Sequence, residues 1–317
     1  VTLEVPMTEI VDREGTFREA LFSGEMDMDG MDALLALYRE LYPLRQWEAG
    51  TGKNLEPLSG DEINMRLDEG FTLIETADLL PAGMDLSGRS REVAGILAGH
   101  IEDPDTVTAS VENLIGEPDG LPGLLNVYID SGDSGLGEKT LSLEKINPEV
   151  VLFVIFNTLK GLFLSTGNRF SGLATDRWGH GRCPVCGGEP AVAYMAGEGG
   201  KRFLVCHRCE TNWRYKRLVC PFCEHESPGE SSYLYIEEPR YSTMTGYVCE
   251  NCRHYIKTWR VEEEELGALH PEVEDLKTPA FDAAMESEGY RRGAPNIFGV
   301  LIGDVVPEGA KDTDKIS

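Results

Sequence analysis

All eight cysteines of this 317-residue chain fall in four Cys-x-x-Cys pairs: Cys183/Cys186, Cys206/Cys209, Cys220/Cys223 and Cys249/Cys252. None lies outside residues 183–252. A secreted disulfide scaffold scatters its cysteines, whereas successive knuckles aim pairs of thiolates at shared points. The first two pairs are 19 residues apart, a spacing expected for a four-thiolate ribbon, and the last two are 25 apart.

The residues between the knuckles read as hairpins. Ala191 to Met195, the turn Gly197–Gly200 and Arg202 to Val205 carry the chain from Cys186 to Cys206. Ser232 to Ile236 and Thr245 to Val248 do the same between Cys223 and Cys249. Both units follow one order: Cys-Pro-x-Cys, strand, turn, strand, Val-Cys-x-x-Cys. The expectation is two sequential sites, Cys183, Cys186, Cys206 and Cys209 in one, Cys220, Cys223, Cys249 and Cys252 in the other.

Four soft thiolates suit zinc or a single iron. A closed four-ligand site lacks an open position for chemistry, so a structural metal is the first reading and iron or electron handling the second. A thioredoxin-like dithiol is disfavoured because none of the pairs opens a helix in a βαβ unit. His207, His225 and His254 lie beside knuckles and are read as neighbours of sites that already have four ligands. Between the sites, Trp213, Arg214, Tyr215, Lys216 and Arg217 interleave basic and aromatic residues, a pattern for nucleic acid or for a protein partner.

Charge separates this region from the rest. The chain carries −26 overall, yet residues 182–260 hold 11 basic and 9 acidic residues, a net of +2 against −28 elsewhere. Such acidity disfavours binding to phosphate backbones or anionic membranes over most of the surface. The opening residues Val1–Pro6 show no basic-then-apolar leader, and the longest apolar run is Val150–Phe156. The expectation is a cytoplasmic protein without a membrane span, in which paired cysteines are metal-bound or redox-active.

Outside the cysteines the pattern is helical. Asp29 to Trp47, a start at Ser59, Arg91 to His100, Asp105 to Ile115 and Pro148 to Phe163 read as helices. The Gly- and Ser-rich residues 130–140 read as a loop, residues 1–25 as weakly patterned, and the stretch from Val305 as a loose tail. His100 stands alone and is read as structural. Thr278-Pro279 opens a last helix that Gly289 ends. The fold class expected is α+β and multidomain: a mainly α-helical domain over 1–175, two tandem rubredoxin-like or zinc-ribbon modules over 176–262, and a C-terminal helix and tail over 263–317. No catalytic constellation is visible, and the chain is not read as an enzyme.

Several stretches together resemble one family. They are Cys183-Pro-Val-Cys186-Gly-Gly-Glu-Pro190, Cys206-His-Arg-Cys209-Glu-Thr-Asn-Trp213 and Arg217-Leu-Val-Cys220. Cys249-Glu-Asn-Cys252-Arg-His-Tyr-Ile-Lys257 and Asp282-Ala-Ala-Met285-Glu-Ser-Glu-Gly289-Tyr290 follow, with Asn296 and Phe298 beyond. Across roughly residues 175–300 the chain resembles the FdhE-type formate dehydrogenase accessory proteins. The resemblance implies a cytoplasmic maturation factor that contacts the molybdenum- or tungsten-containing catalytic subunit, with rubredoxin-like sites associated with iron. It implies the eight cysteines as metal ligands and a partner contact made through them, while Trp213, Arg214, Tyr215 and Arg217 are candidate partner contacts by residue type alone. A redox protein assisting the dehydrogenase and a zinc-ribbon nucleic-acid binder are the alternatives.

Overall fold

The computed structural model describes residues 18–19, 21–22, 32–46, 58–74, 84–117, 120–140, 146–170, 173, 175–197, 199–226, 232–236, 239–261 and 271–300. The readings of the first 17 residues and of the tail from Val305 lie outside these residues.

Helices α1 (Asp32–Leu41), α2 (Gly60–Glu69), α3 (Leu86–Ala98), α4 (Pro104–Gly116), α5 (Gly120–Thr140) and α6 (Pro148–Arg169) make up the first half. Helix α2 starts as its sequence signals. Ser59 accepts from the Glu62 N–H while the Glu62 carboxylate accepts from the Ser59 N–H, so two orphan donors are satisfied reciprocally. Helix α4 begins with Pro104 after an Asp103 cap, and α6 with Pro148 after an Asn147 cap. The 130–140 stretch is the last half of α5 and not a loop. Leu136 is fully buried in the core alongside α6, and that burial overrides the poor helix propensity of the glycines.

Helix α6 is the axis of the molecule. It is apolar around its whole circumference, the pattern of a helix buried on every side. By length and composition it would suffice to cross a membrane, which the short run Val150–Phe156 understates. Here 89% of its most apolar window is buried inside the protein. One side of α6 packs with α1, α3 and α4 through Val150, Phe153 and Val154. Another packs with α5 and the cysteine region through Leu159, Leu162 and Phe163.

Strands β1 (Pro190–Ala196), β2 (Lys201–Cys206), β3 (Asn212–Tyr215), β4 (Ser232–Leu234), β5 (Met244–Val248) and β6 (His254–Val261) form one sheet in the order β3-β2-β1-β6-β5-β4. Neighbours are antiparallel except β1 and β6, which run parallel with Ala193 opposite Thr258. The two hairpin units therefore share one sheet across that parallel seam. Alternation gives the sheet two buried faces. Ala193, Leu204 and Ile256 join the α5–α6 core, while Val192, Val205 and Tyr255 join a second core with Phe281 and Met285.

The C-terminal region adds α7 (Pro271–Leu276), α8 (Pro279–Ser287) and the short β7 (Arg291–Arg292), which pairs with β6. Thr278 precedes α8 but does not cap it, because its hydroxyl donates back to the Glu274 carbonyl. Gly289, at φ +80°, turns the chain after α8. A buried network fastens these pieces to the sheet: Lys257 meets Asp275 at 2.6 Å and Asp282 at 2.8 Å, and Arg292 meets Asp275 at 2.6 Å. Two cations and two anions balance there. Farther on, Asn296 donates to the Tyr38 hydroxyl at 2.7 Å, and Phe298 stacks on Tyr38 with centroids 4.6 Å apart. The chain end thus returns to α1, and the buried cores cross the boundaries at 175 and 262 drawn from sequence.

Candidate metal centres

Each Cys-x-x-Cys pair closes the same backbone loop. The N–H of the residue after the second cysteine donates to the carbonyl of the first, in Gly187, Glu210, Glu224 and Arg253, at 2.8–3.1 Å. The N–H of the first cysteine in turn donates to a carbonyl two residues past the second, in Gly188, Thr211, His225 and His254. This tight turn forces positive φ just after the second cysteine: Gly187 +71°, Glu210 +57°, Glu224 +53° and Arg253 +58°. Three of these four are not glycine, which is an uncommon cost to accept. Their side chains are all engaged. Glu210 pairs with Arg45 and Lys160, the Glu224 carboxylate accepts from the Gly181 N–H, and Arg253 pairs with Glu250.

The turns bring the cysteines together in sequential groups. In site one the Sγ of Cys183 and Cys209 are 3.5 Å apart, those of Cys186 and Cys206 3.5 Å, and those of Cys186 and Cys209 3.4 Å. In site two Cys220–Cys252 and Cys223–Cys249 are each 3.7 Å. Within each group all four sulfurs lie within 4.8 Å of one another. These separations are far beyond a disulfide bond of about 2.05 Å. They are close to the edge of about 3.8 Å of a tetrahedron with metal–sulfur bonds of about 2.3 Å. Each group can hold one soft metal ion through four thiolates, with no ligand position left open.

The two sites differ in their surroundings. All four cysteines of site one are buried, and those of site two are partly exposed. Burial pushes the Cys183 thiol up, with the neighbouring sulfurs adding to it. At Cys223 burial also acts upwards, but the Asn251 amide donating at 3.5 Å, the His225 backbone N–H and the adjacent thiols bring it down to about 7. Cys223 therefore offers a ready thiolate at neutral pH.

Site one is locked to the helices by charge. Lys160 of α6 is 1% exposed, and its ammonium donates to the carbonyls of His207 at 2.7 Å and Arg208 at 2.9 Å inside the second knuckle. It also pairs with Glu210 at 2.9 Å, and Arg45 meets the same carboxylate at 2.9 Å. Arg208 lies over the Tyr128 ring at 4.3 Å. Lys160 and Arg45 thus share the Glu210 carboxylate beside the second knuckle. A divalent ion on four thiolates carries a net of two negative charges, which a buried ammonium alongside favours. Sequence reading missed Lys160 and Arg45 because a lone cation within an apolar helix carries no signal of its partner.

The histidines do not join either group. His207 is fully buried, stacks on Phe156, and has its Nδ1 2.7 Å from the Glu189 carbonyl oxygen. His225 and His254 contribute backbone carbonyls to the site-two turns, and the His254 ring lies 5.4 Å from Phe222. His100 is paired with Glu40 at 3.1 Å. The four candidate contact residues divide by strand alternation. Trp213 is 0% and Tyr215 5% exposed, so both point into the core, while Arg214 and Arg217 remain outside. A nucleic-acid reading thereby loses its stacking surface.

Close packing also places site two. A Cβ on Gly181 would fall 1.9 Å from the Pro221 carbonyl oxygen, so the 175–182 segment lies directly on the first knuckle of site two. Gly181→Ala is expected to displace that knuckle, costing about 1–3 kcal/mol of stability as overpacking does. Chelator competition checks it: site two should release its ion faster than in the unaltered chain, with site one unchanged.

Comparison with known proteins converges on this region. Residues 182–217 match the family profile of the FdhE central domain, and residues 204–298 that of the FdhE C-terminal domain. In this region the chain is similar to the FdhE family. It is 25% identical over 195 residues to the FdhE homolog of Aquifex aeolicus, covering 56% of this chain and 68% of that protein. To protein FdhE of Escherichia coli O1:K1 it is 32% identical over 149 residues, 45% of this chain. The chain spans about half the length of that relative, 46%. The crystal structure of the FdhE protein from Pseudomonas aeruginosa shares the fold, with a TM-score of 0.59 over 92% of this chain and 95% of that one, at 20% identity. The fold likeness extends over the helical half, beyond the FdhE domain matches. Both four-cysteine groups lie within those matches.

Proposed function

We propose that this chain is an accessory factor that supports maturation of a formate dehydrogenase, without substrate turnover of its own. The observation that carries the reading is that the two four-cysteine groups and the sheet joining them occupy the FdhE central and C-terminal domains. Closed thiolate sites suit a rigid platform more than a catalytic centre. In this reading the metal-built module binds the immature molybdenum- or tungsten-containing catalytic subunit in the cytoplasm. Arg214 and Arg217 are the contact residues that remain of those named from sequence.

Affinity capture tests this. A tagged, metal-loaded chain is expressed anaerobically with the dehydrogenase catalytic subunit and recovered. The catalytic subunit is expected to co-purify, less so with Arg214→Glu/Arg217→Glu. Its absence under both loaded and cofactor-free conditions would count against the reading. A redox role is the second reading, favoured by the partial exposure of site two. It requires coloured iron–thiolate that reduces reversibly, and two redox-silent zinc ions would remove it.

A further inference from the structure

A cleft of about 470 Å³ opens between the segment at 176–179, the β1–β2 turn at Gly199–Gly200 and the end of β3. Six cationic side chains line it: Arg177, Lys201, Arg202, Arg214, Lys216 and Arg217. Asp176 is the one carboxylate of the lining, leaving a net of +5. We propose that this cleft binds a small polyanion, of the class of molecules that carry a diphosphate group.

Three observations support a built site. Arg202 is 2% exposed; its guanidinium lies over the Tyr247 ring at 5.4 Å and donates from Nη1 to the Val219 carbonyl at 3.2 Å, while Nε and Nη2 make no hydrogen bond. Leaving buried guanidinium N–H groups unmet is costly, and because Arg202 also lines the cleft, an anion entering it can supply a partner. Lys201 and Lys216 are exposed at the rim. The ion pairs that do exist there, Arg214–Asp176 at 3.1 Å and Arg177–Asp68 at 2.8 Å, are between exposed groups and hold weakly.

Electrostatics decides the size of the ligand. Residues outside 182–260 carry −28, so a nucleic acid or an acidic protein surface is repelled over most of its approach. A small anion inside the cleft feels chiefly the cations within a Debye length of about 8–10 Å. The volume lies in the range of small-molecule sites, about 300–1,000 Å³. Arginine forks with lysine ammoniums match phosphate oxygens, and a net of five charges exceeds what one phosphate needs.

The test is titration calorimetry of the metal-loaded full chain with inorganic pyrophosphate, with metal content measured before and after. The expected result is one ion per chain, held about tenfold or more weakly by Lys201→Ala/Lys216→Ala. Both lysines are exposed, so the variant should keep its fold and both metals. No binding up to about 10 mM pyrophosphate, or equal affinity in the variant, overturns the proposal. So does polyglutamate or single-stranded DNA binding as tightly as pyrophosphate with the same loss in the variant. The dehydrogenase capture is read separately, so either proposal fails without the other.

Discussion

Cys206→Ser is expected to lower the metal content from two ions to one and to unfold the helical half along with the ribbon. Cys223→Ser is expected to lose one ion and leave the helical half folded. The difference follows from burial and from the clamp. Cys206 is fully buried, and the knuckle it opens receives Lys160 and Arg45 from the helical half. Binding of a structural zinc is worth about 10–16 kcal/mol in small domains, comparable with the whole stability of about 5–15 kcal/mol that proteins retain. When site one empties, the knuckle whose carbonyls hold Lys160 loses its anchor, and the buried contact with α6 goes with it. Site two is partly exposed and its first knuckle meets Gly181 and Gly293 instead, so its loss is local. Metal analysis with limited proteolysis of both variants checks this, and equal protection of the 86–169 helices in the two would contradict it.

The second large effect is at the clamp itself. Lys160→Met removes the donor to two buried carbonyls and leaves Glu210 with Arg45. Breaking one partner of a buried pair costs about 3–5 kcal/mol. Adding Glu210→Gln to Lys160→Met should cost more again, because it removes the carboxylate that the buried Arg45 guanidinium still meets. The same carboxylate has a pH signature. Burial acts to raise Glu210, but Arg45 and Lys160 outweigh it and hold it at about 2. Its folded value lies below its ordinary 4.5, so its contribution is complete above about pH 4.5 and falls away as pH drops towards 2. Acid also releases metal from thiolates in every variant. The informative quantity is therefore the difference in urea stability between Glu210→Gln and the unaltered chain. It should be large at pH 7 and shrink below pH 4.5.

What was legible in the sequence was local. Ser59 and Glu62 form their capping box, Pro104 and Pro148 open their helices, and the knuckles pair in order because each hairpin delivers its second pair beside its first. What was not legible depends on partners distant in sequence. The parallel seam of β1 with β6 joins residues more than sixty positions apart, so two tandem ribbons read from the chain become one sheet. The helix through 130–140 exists because Leu136 has a core to enter, which its glycines do not announce. Trp213 and Tyr215 look like contact residues in the linear sequence, and strand alternation turns them inward. The glycine that marks a tight turn after Cys186 is replaced by Glu210, Glu224 and Arg253 in the other three turns, whose geometry is set by their hydrogen bonds.

The central claim is that each four-cysteine group is one metal centre and that the two together build the module. Native mass spectrometry of the anaerobically purified full chain measures this directly. The account predicts two metal ions per chain, with all eight thiols shielded from alkylation until the ions are removed. One ion, none, or cysteines recovered as disulfides would contradict it.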